Sequence, residues 1–430
     1  VDNSRPFAFS PSEISFVLLT HAHQDHCGLI PRLYKEGFSG KVICTRATAR
    51  LASVSLMDSV RHVSGLYSEE NVKQIRFECI DDREGFGLSR MLPIHNDLFA
   101  SFSRSAHILG ATSITIGWLN DQEEKVSMVM SGDLGNNTKA NPYQPLLAGR
   151  QGIFGYPEAI VVESTYGGRA RESKFSDFDG RIAALREVVQ AEVFDKKALL
   201  VIPAFSLQRT QEVLLDLFQI FKNHFFSEGQ SQSPVVPNNP MHDYFKDGRW
   251  NWPIQQAVNS AIAGMPEREQ SKWTSSIIQE KSEGGGHSFR LRDDSEIAIA
   301  DVRALITDLQ HTYPVDIVLD SPLAREVSAV FGDELCRRQR KTPSETVFRN
   351  RMMAERLGVS HEEQVDEIVR SLFPPNGSDE RVIPLGIHGV RYQSNFKTPR
   401  AHALHERGCI LITGGGMCEG GPVVKHLGKI

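Results

Sequence analysis

Thr20-His21-Ala22-His23-Gln24-Asp25-His26 follows without a break on Ile14–Thr20 (ISFVLLT). The apolar, β-branched run reads as a buried strand, and the turn after it holds three imidazoles and a carboxylate. Polar groups at the end of a buried strand are costly unless something satisfies them. On an extended segment His21 and His23 project to the same side, because side chains alternate. As the chain turns into a helix, Asp25 and His26 can reach a second point close by. Neutral imidazole and carboxylate are the donors that zinc prefers, at about 2.0–2.2 Å. A polar surface turn is the bland alternative, and the density of the motif argues against it.

Outward from this turn, a helix is expected over Cys27–Lys35, stopped by Gly37. Val42–Thr45, Ser113–Trp118, Val126–Ser131, Ala159–Glu163 and Leu199–Pro203 (LLVIP) read as further strands. Leu207, Thr210, Leu214, Leu217, Phe218 and Phe221 share one face at helical period. Order weakens between about Phe226 and Gly286, where Ser227–Asn239 and Glu283–Gly286 read as loop. Ile297–Leu309 reads as a helix, Val315–Asp320 as a strand, Asp333–Leu357 as a long polar helix and Cys409–Thr413 (CILIT) as a last strand. Strand and helix in alternation argue an α/β class.

With 430 residues the chain has room for two or three domains. Its 40% hydrophobic and 23% charged residues exclude wholesale disorder. No apolar run approaches the roughly 20 residues that span a bilayer, and no signal-peptide pattern opens the sequence. With 48 basic against 53 acidic side chains the net charge is −5, so contact with nucleic acid must come from a local groove. Six cysteines lie scattered without paired spacing, which suits free thiols in a reducing cytoplasm.

HxHxDH after a strand resembles the signature of the metallo-β-lactamase fold. In that family a further histidine and an aspartate from later strand ends complete a two-metal site. His107 stands in Ser105-Ala106-His107-Ile108-Leu109-Gly110-Ala111, before an expected strand; Asp133 stands in Met130-Ser131-Gly132-Asp133-Leu134-Gly135, after one. The resemblance implies that His21, His23 and His107 hold one Zn2+, that Asp25 and His26 hold the other, and that Asp133 bridges, with Mn2+ as an alternative. Ile160–Gly167 (IVVESTYG) is similar to the acidic motif of the β-CASP branch, with Glu163 as its carboxylate. Leu200–Leu214 (LVIPAFSLQRTQEVL), Leu319–Ala324 (LDSPLA) and Thr413–Gly421 (TGGGMCEGG) are similar to segments of the β-CASP domain, which marks enzymes acting on nucleic acids. Bacterial ribonuclease J and the endonuclease of pre-mRNA 3′-end processing are relatives of this kind.

The implied fold is a metallo-β-lactamase αββα sandwich over residues 1–195, incomplete, with an inserted β-CASP α/β domain over 196–430. Relatives have a shorter link where this chain runs through about 222–311. They also carry strands ahead of HxHxDH and two motif histidines beyond the glycine-rich turn, so the expectation is a chain truncated at both ends. The implied activity is zinc-dependent cleavage of RNA phosphodiesters, internal or from the 5′ end, by hydroxide held between the metals. Asp25, Asp133 and Glu163 would be its catalytic carboxylates, with Glu163 orienting a histidine. Single-stranded RNA would be the partner, and a homodimer the assembly.

Two other classes compete. Against a hydrolase of small esters, thioesters or lactams stand the β-CASP-like segments; against a non-catalytic partner subunit stands the intact ligand set. A di-iron redox role would call for glutamate at His23. Gly414, Gly415 and Gly416 with Ser321 could meet a phosphate, although a ligand-free turn suits the local pattern nearly as well. The basic stretch Arg337, Arg338, Arg340, Lys341, Arg349 and Arg351 reads better as a solvated face than as an RNA track. Packing is the better reading for Trp250 and Trp252, and His388 matches no ligand motif.

Overall fold

The computed structural model describes residues 3–63, 65–82, 90–136, 145–147, 156–170, 172, 177–225, 249–251, 255, 258–259, 262, 265–281, 287–299, 301–302, 305, 316–336, 368–370, 372–373, 390–392, 409–418 and 422–427. It divides into two compact units: Val1–Gln219 with Val318–Gly377 and Tyr392–Ile430, and Ile220–Ile317 with Ser378–Arg391.

The first unit opens with three parallel strands in sequential order, β1 (Phe16–Leu18), β2 (Lys41–Cys44) and β3 (Phe77–Cys79). Parallel neighbours need crossovers. These are helical: α1 (Gln24–Cys27) and α2 (Ile30–Lys35), then α3 (Arg46–Ser59) and α4 (Glu69–Lys73). Thr45 starts α3 by accepting the Thr48 N–H on its hydroxyl, and Leu51, Ala52, Ser55 and Leu56 bury one face of the helix. A second sheet follows in sequential order: β4 (Leu92–His95), β5 (Leu98–Arg104), β6 (Thr112–Leu119), β7 (Lys125–Met130) and β8 (Ala159–Val161). It is antiparallel as far as β7, and β8 then joins β7 in parallel. Ile43 and Ile80 pack with Leu92, Ala100, Phe102 and Ile114 in one cluster, so the two sheets face each other across a shared core. That is the α/β sandwich implied by the histidine motif.

The chain continues through α5 (Phe178–Val188), a π-helical turn over Val189–Asp195, β9 (Leu199–Pro203) and α6 (Arg209–Phe225). The second unit holds β10 (Arg249–Asn251), α7 (Glu267–Ser276), β11 (Ile277–Lys281) and β12 (His287–Leu291), its antiparallel sheet ordered β10-β12-β11. Its core is built on Trp250, Val258, Ile262, Phe289, Ile297 and Val302. Then come β13 (Asp316–Asp320), α8 (Pro322–Leu335), β14 (Val390–Tyr392), β15 (Cys409–Thr413) and α9 (Pro422–Leu427), with a four-stranded sheet ordered β14-β13-β15-β9. β15 is buried at every position and runs parallel to β9. Within the first unit α8 packs on α3: Arg50 donates to Glu334 at 2.7 Å and to Asp333 at 2.6 Å, and Arg46 reaches Glu334 at 3.3 Å.

β9 and β15 have the expected bounds, and Leu207, Thr210, Leu214, Leu217, Phe218 and Phe221 are all buried. The helix expected over Cys27–Lys35 is instead two short ones, α1 starting three residues early and α2 after a break at Gly28–Leu29. Asp333–Leu335 closes α8 rather than opening a polar helix, and Cys336 caps it. The basic stretch from Arg337, Trp252, His388 and most of Ile297–Leu309 lie outside the described residues. Trp250 is 1% exposed and donates its indole N–H to Gln255, so it packs rather than stacks bases. All six cysteines are free. Among the described residues no helix is long and apolar enough to cross a membrane.

Candidate metal centre

Three turns at the ends of β1, β5 and β7 carry the expected ligands. The Thr20 carbonyl accepts the Thr112 N–H at 3.0 Å, which fastens the histidine turn to the start of β6. The His23 carbonyl then accepts the N–H groups of His26 and Cys27, both at 3.0 Å, and so winds Asp25 and His26 into α1. Gln24 donates to the Ser55 hydroxyl at 2.8 Å and moors α1 on α3.

The turn bearing His107 needs left-handed backbone at Ala106 (φ +52°) and Gly110 (φ +80°). The Gly110 carbonyl accepts the hydroxyls of Thr45 at 2.8 Å and Thr48 at 2.9 Å, which bolts this turn to the N-terminus of α3. A Cβ at Gly110 would lie 2.7 Å from the Thr48 nitrogen. The turn bearing Asp133 is held by the Ser113 hydroxyl, which donates to the Ser131 carbonyl at 2.7 Å, and by the Gly135 N–H, which donates to the Ser105 carbonyl at 2.8 Å. A Cβ at Gly135 would collide with the Ala106 carbonyl, so the two turns press together backbone to backbone.

These turns bring six side chains into two groups that share one carboxylate. His21, His23, His107 and Asp133 form the first; Asp25, His26 and Asp133 form the second. His23 Nδ1 lies 3.2 Å from His21 Nε2 and 3.0 Å from His107 Nε2. Asp133 Oδ2 lies 3.6 Å from His21 Nε2 and 3.3 Å from His107 Nε2. Asp133 Oδ1 faces His26 Nε2 at 3.2 Å, and that nitrogen is 3.5 Å from Asp25 Oδ2. Four donors placed tetrahedrally at about 2.1 Å from an ion stand roughly 3.4 Å apart, so the first group fits a zinc-sized ion.

Electrostatics agree with the spacing. Burial, then the imidazoles of His26, His23 and His107, push His21 down to about 2. Burial and His107 push His23 down to about 4; burial and the nearby Arg209 guanidinium push His107 to about 4. All three are neutral at pH 7, the form of imidazole that ligates a metal. The far nitrogen of His21 is 3.2 Å from the Thr20 hydroxyl, which fixes the ring from behind.

Glu163 lies just past β8. Its carboxylate accepts the Leu134 N–H at 3.2 Å and the Thr165 N–H at 2.8 Å, and its own N–H donates to the Ser131 hydroxyl at 3.0 Å. It therefore grips the turn that carries Asp133. Desolvation raises its pKa, but the N–H groups of Thr165 and Leu134 outweigh this and hold it below the usual carboxylate range. Ser321 is buried, accepts the Ala324 N–H as the cap of α8 and shares a 2.9 Å hydrogen bond with the Ser206 hydroxyl. A Cβ at Gly414 would press on the Ser321 hydroxyl at 3.2 Å, and one at Gly416 on Phe205 at 3.1 Å; Gly415 has φ +101°. Sequence reasoning passed over Thr45, Thr48 and Gln24, although Thr45-x-x-Thr48 before an Ala-rich run is a legible N-cap.

No family model matches the chain. It is 30% identical over 220 residues to "Ribonuclease TTHA0252" of Thermus thermophilus, covering 50% of this chain and 46% of that one. It is 28% identical over 221 residues to "Transcription termination factor FttA" of Methanocaldococcus jannaschii, covering 51% of this chain and 33% of the other. An "RNase J-like protein" of the same archaeon is 27% identical over 232 residues, covering 53% of this chain and 48% of its own. The chain thus spans between a third and a half of the length of these relatives.

Proposed function

Taking as premise that the chain is related to the metallo-β-lactamase-fold β-CASP ribonucleases, we propose that it is the metal-bearing part of a ribonuclease cleaving single-stranded RNA. The observation that carries this reading is the pair of donor groups sharing Asp133. His21, His23, His107 and Asp133 would hold one ion, and Asp25, His26 and Asp133 a second, zinc being favoured and manganese the alternative. When bound, such a pair supplies Lewis-acid activation of water and neutralises charge on a phosphodiester.

The protein's own part is to hold that constellation. The three neutral histidines present lone pairs without a proton to displace. Asp133 spans both groups with its two oxygens, and Glu163 keeps the Asp133 turn from swinging away. Asp25, its side chain 76% exposed, lies on the solvent side, where substrate arrives. Gly414, Gly415, Gly416 and Ser321, at the ends of β15 and β13, would meet the RNA strand farther along. On this reading residues 1–195 form the lactamase-like part and 196–430 the β-CASP-like part of a cytoplasmic homodimer.

The test is a labelled RNA oligomer incubated with the full gene product. Cleavage lost to a chelator and to Asp133→Ala is the expected result. RNA left intact while a thioester or lactam turns over would assign the site to small molecules. Inertness towards all three with metal bound would make the protein a non-catalytic subunit.

A further inference from the structure

Gln208 stands just ahead of α6 with φ +73°, a left-handed backbone that strains a residue with a Cβ and favours glycine. It is also 1% exposed. Its carboxamide is engaged at both ends: Oε1 accepts the Leu109 N–H at 3.0 Å, and Nε2 donates to Glu212 at 2.8 Å. Those partners admit only one orientation of the amide, since an N–H must meet the oxygen and a carboxylate the nitrogen. Behind it Arg181 donates to Asp216 at 2.7 Å and lies 3.6 Å from Glu212. Leu109 is two residues beyond His107, inside the turn bounded by Ala106 and Gly110. A buried, strained glutamine spent on one backbone N–H is a side chain kept for that bond.

We propose that Gln208 is a positioning residue for His107. Thr45 and Thr48 hold the Gly110 carbonyl from one side, and Gln208 holds the Leu109 N–H from the other. Together they set the turn so that His107 Nε2 meets His23 Nδ1 at 3.0 Å. The inference rests on the metal-site reading above and adds a residue 99 positions away in sequence from the turn it governs.

Zinc affinity measured by competition with a chromophoric chelator, alongside the cobalt absorption spectrum and metal-free melting, tests it on three proteins. These are the wild type, Gln208→Gly, and the double variant Gln208→Glu with Glu212→Gln. Gln208→Gly should weaken zinc at the His107 group about tenfold, the lower end for partners that orient a ligand, and should alter the cobalt spectrum. Its metal-free melting should move little, because relief of left-handed strain offsets the lost bond. In the double variant the new carboxylate accepts the Leu109 N–H and the new carboxamide donates to it, so affinity should return. Unchanged affinity in Gln208→Gly, or a loss that the double variant does not recover, overturns the proposal and leaves the metal reading standing. A wild type that binds no zinc overturns the metal reading, and this proposal with it.

Discussion

Asp133 has a divided carboxylate, one oxygen turned to His21 and His107 and the other to His26. Removing it takes a donor from both groups, whereas removing His107 touches one. After refolding with zinc, Asp133→Ala should keep at most one ion per chain, on His21, His23 and His107; metal analysis of the desalted protein against the wild type decides. Glu212 offers a second prediction, on stability. Burial pushes it up to about 7, more than Arg181 at 3.6 Å pulls it down. A carboxyl whose folded pKa is raised binds its proton more readily folded than unfolded, so its contribution is greatest in acid. That contribution declines as the pH climbs from about 4.5 to about 7 and is flat beyond. Glu212→Gln should therefore gain stability relative to the wild type across that window, by up to about 3 kcal/mol. Denaturant melts of both proteins at pH 5 and pH 8 measure it; a constant difference would contradict the assignment.

At the scale of elements, the site depends on how three turns are fastened to one another and to α3. Gly110 bears on all of this, because it combines φ +80° with three atoms of Thr45, Ala47 and Thr48 within 2.8 Å of any added Cβ. Gly110→Ala should cost about 2–4 kcal/mol, since both backbone strain and overpacking apply. Gly168, with open space around it, is the natural control, and Gly168→Ala should be near neutral. Thermal unfolding of the pair reads this directly. The α3–α8 contact belongs to the same scale: Glu334, its side chain only 7% exposed, is gripped by both Arg46 and Arg50. Such a half-buried, two-arginine pair orients helices more than it stabilises them.

For the whole molecule, an ion held at the ends of β1, β5 and β7 would couple the sandwich together. Anything that binds only the folded state stabilises it by mass action, about 2.7 kcal/mol when free ion exceeds its Kd a hundredfold. Chelation should lower the wild-type melting temperature by a few degrees, and Asp133→Ala should respond less to the chelator. With a net charge of −5, the proposed RNA affinity would have to arise from a local surface. It should fall steeply with salt as counterions are released.

What the sequence determined by itself was local. The spacing of His21, His23, Asp25 and His26 after an apolar strand is set by backbone geometry, so their chemistry was legible at once. β9 and β15 were equally plain, being unbroken apolar runs, although only β15 is buried along its length. Elements of mixed composition were not: β3 carries Glu78 between Phe77 and Cys79, and α3 owes its helix to Ala, a threonine cap and tertiary packing. Gly414–Gly416 and Ser321 drew attention as phosphate contacts, yet their tight approach shows only when β9, β13 and β15 lie side by side. The meeting of His23 with His107, 84 residues apart, was decided by the tertiary structure alone. Local spacing fixes which donors share a turn; the distance between separate turns depends on strand register and on the packing of the two sheets. Gln208 shows the limit most clearly, since nothing near it in sequence says which N–H its amide will find.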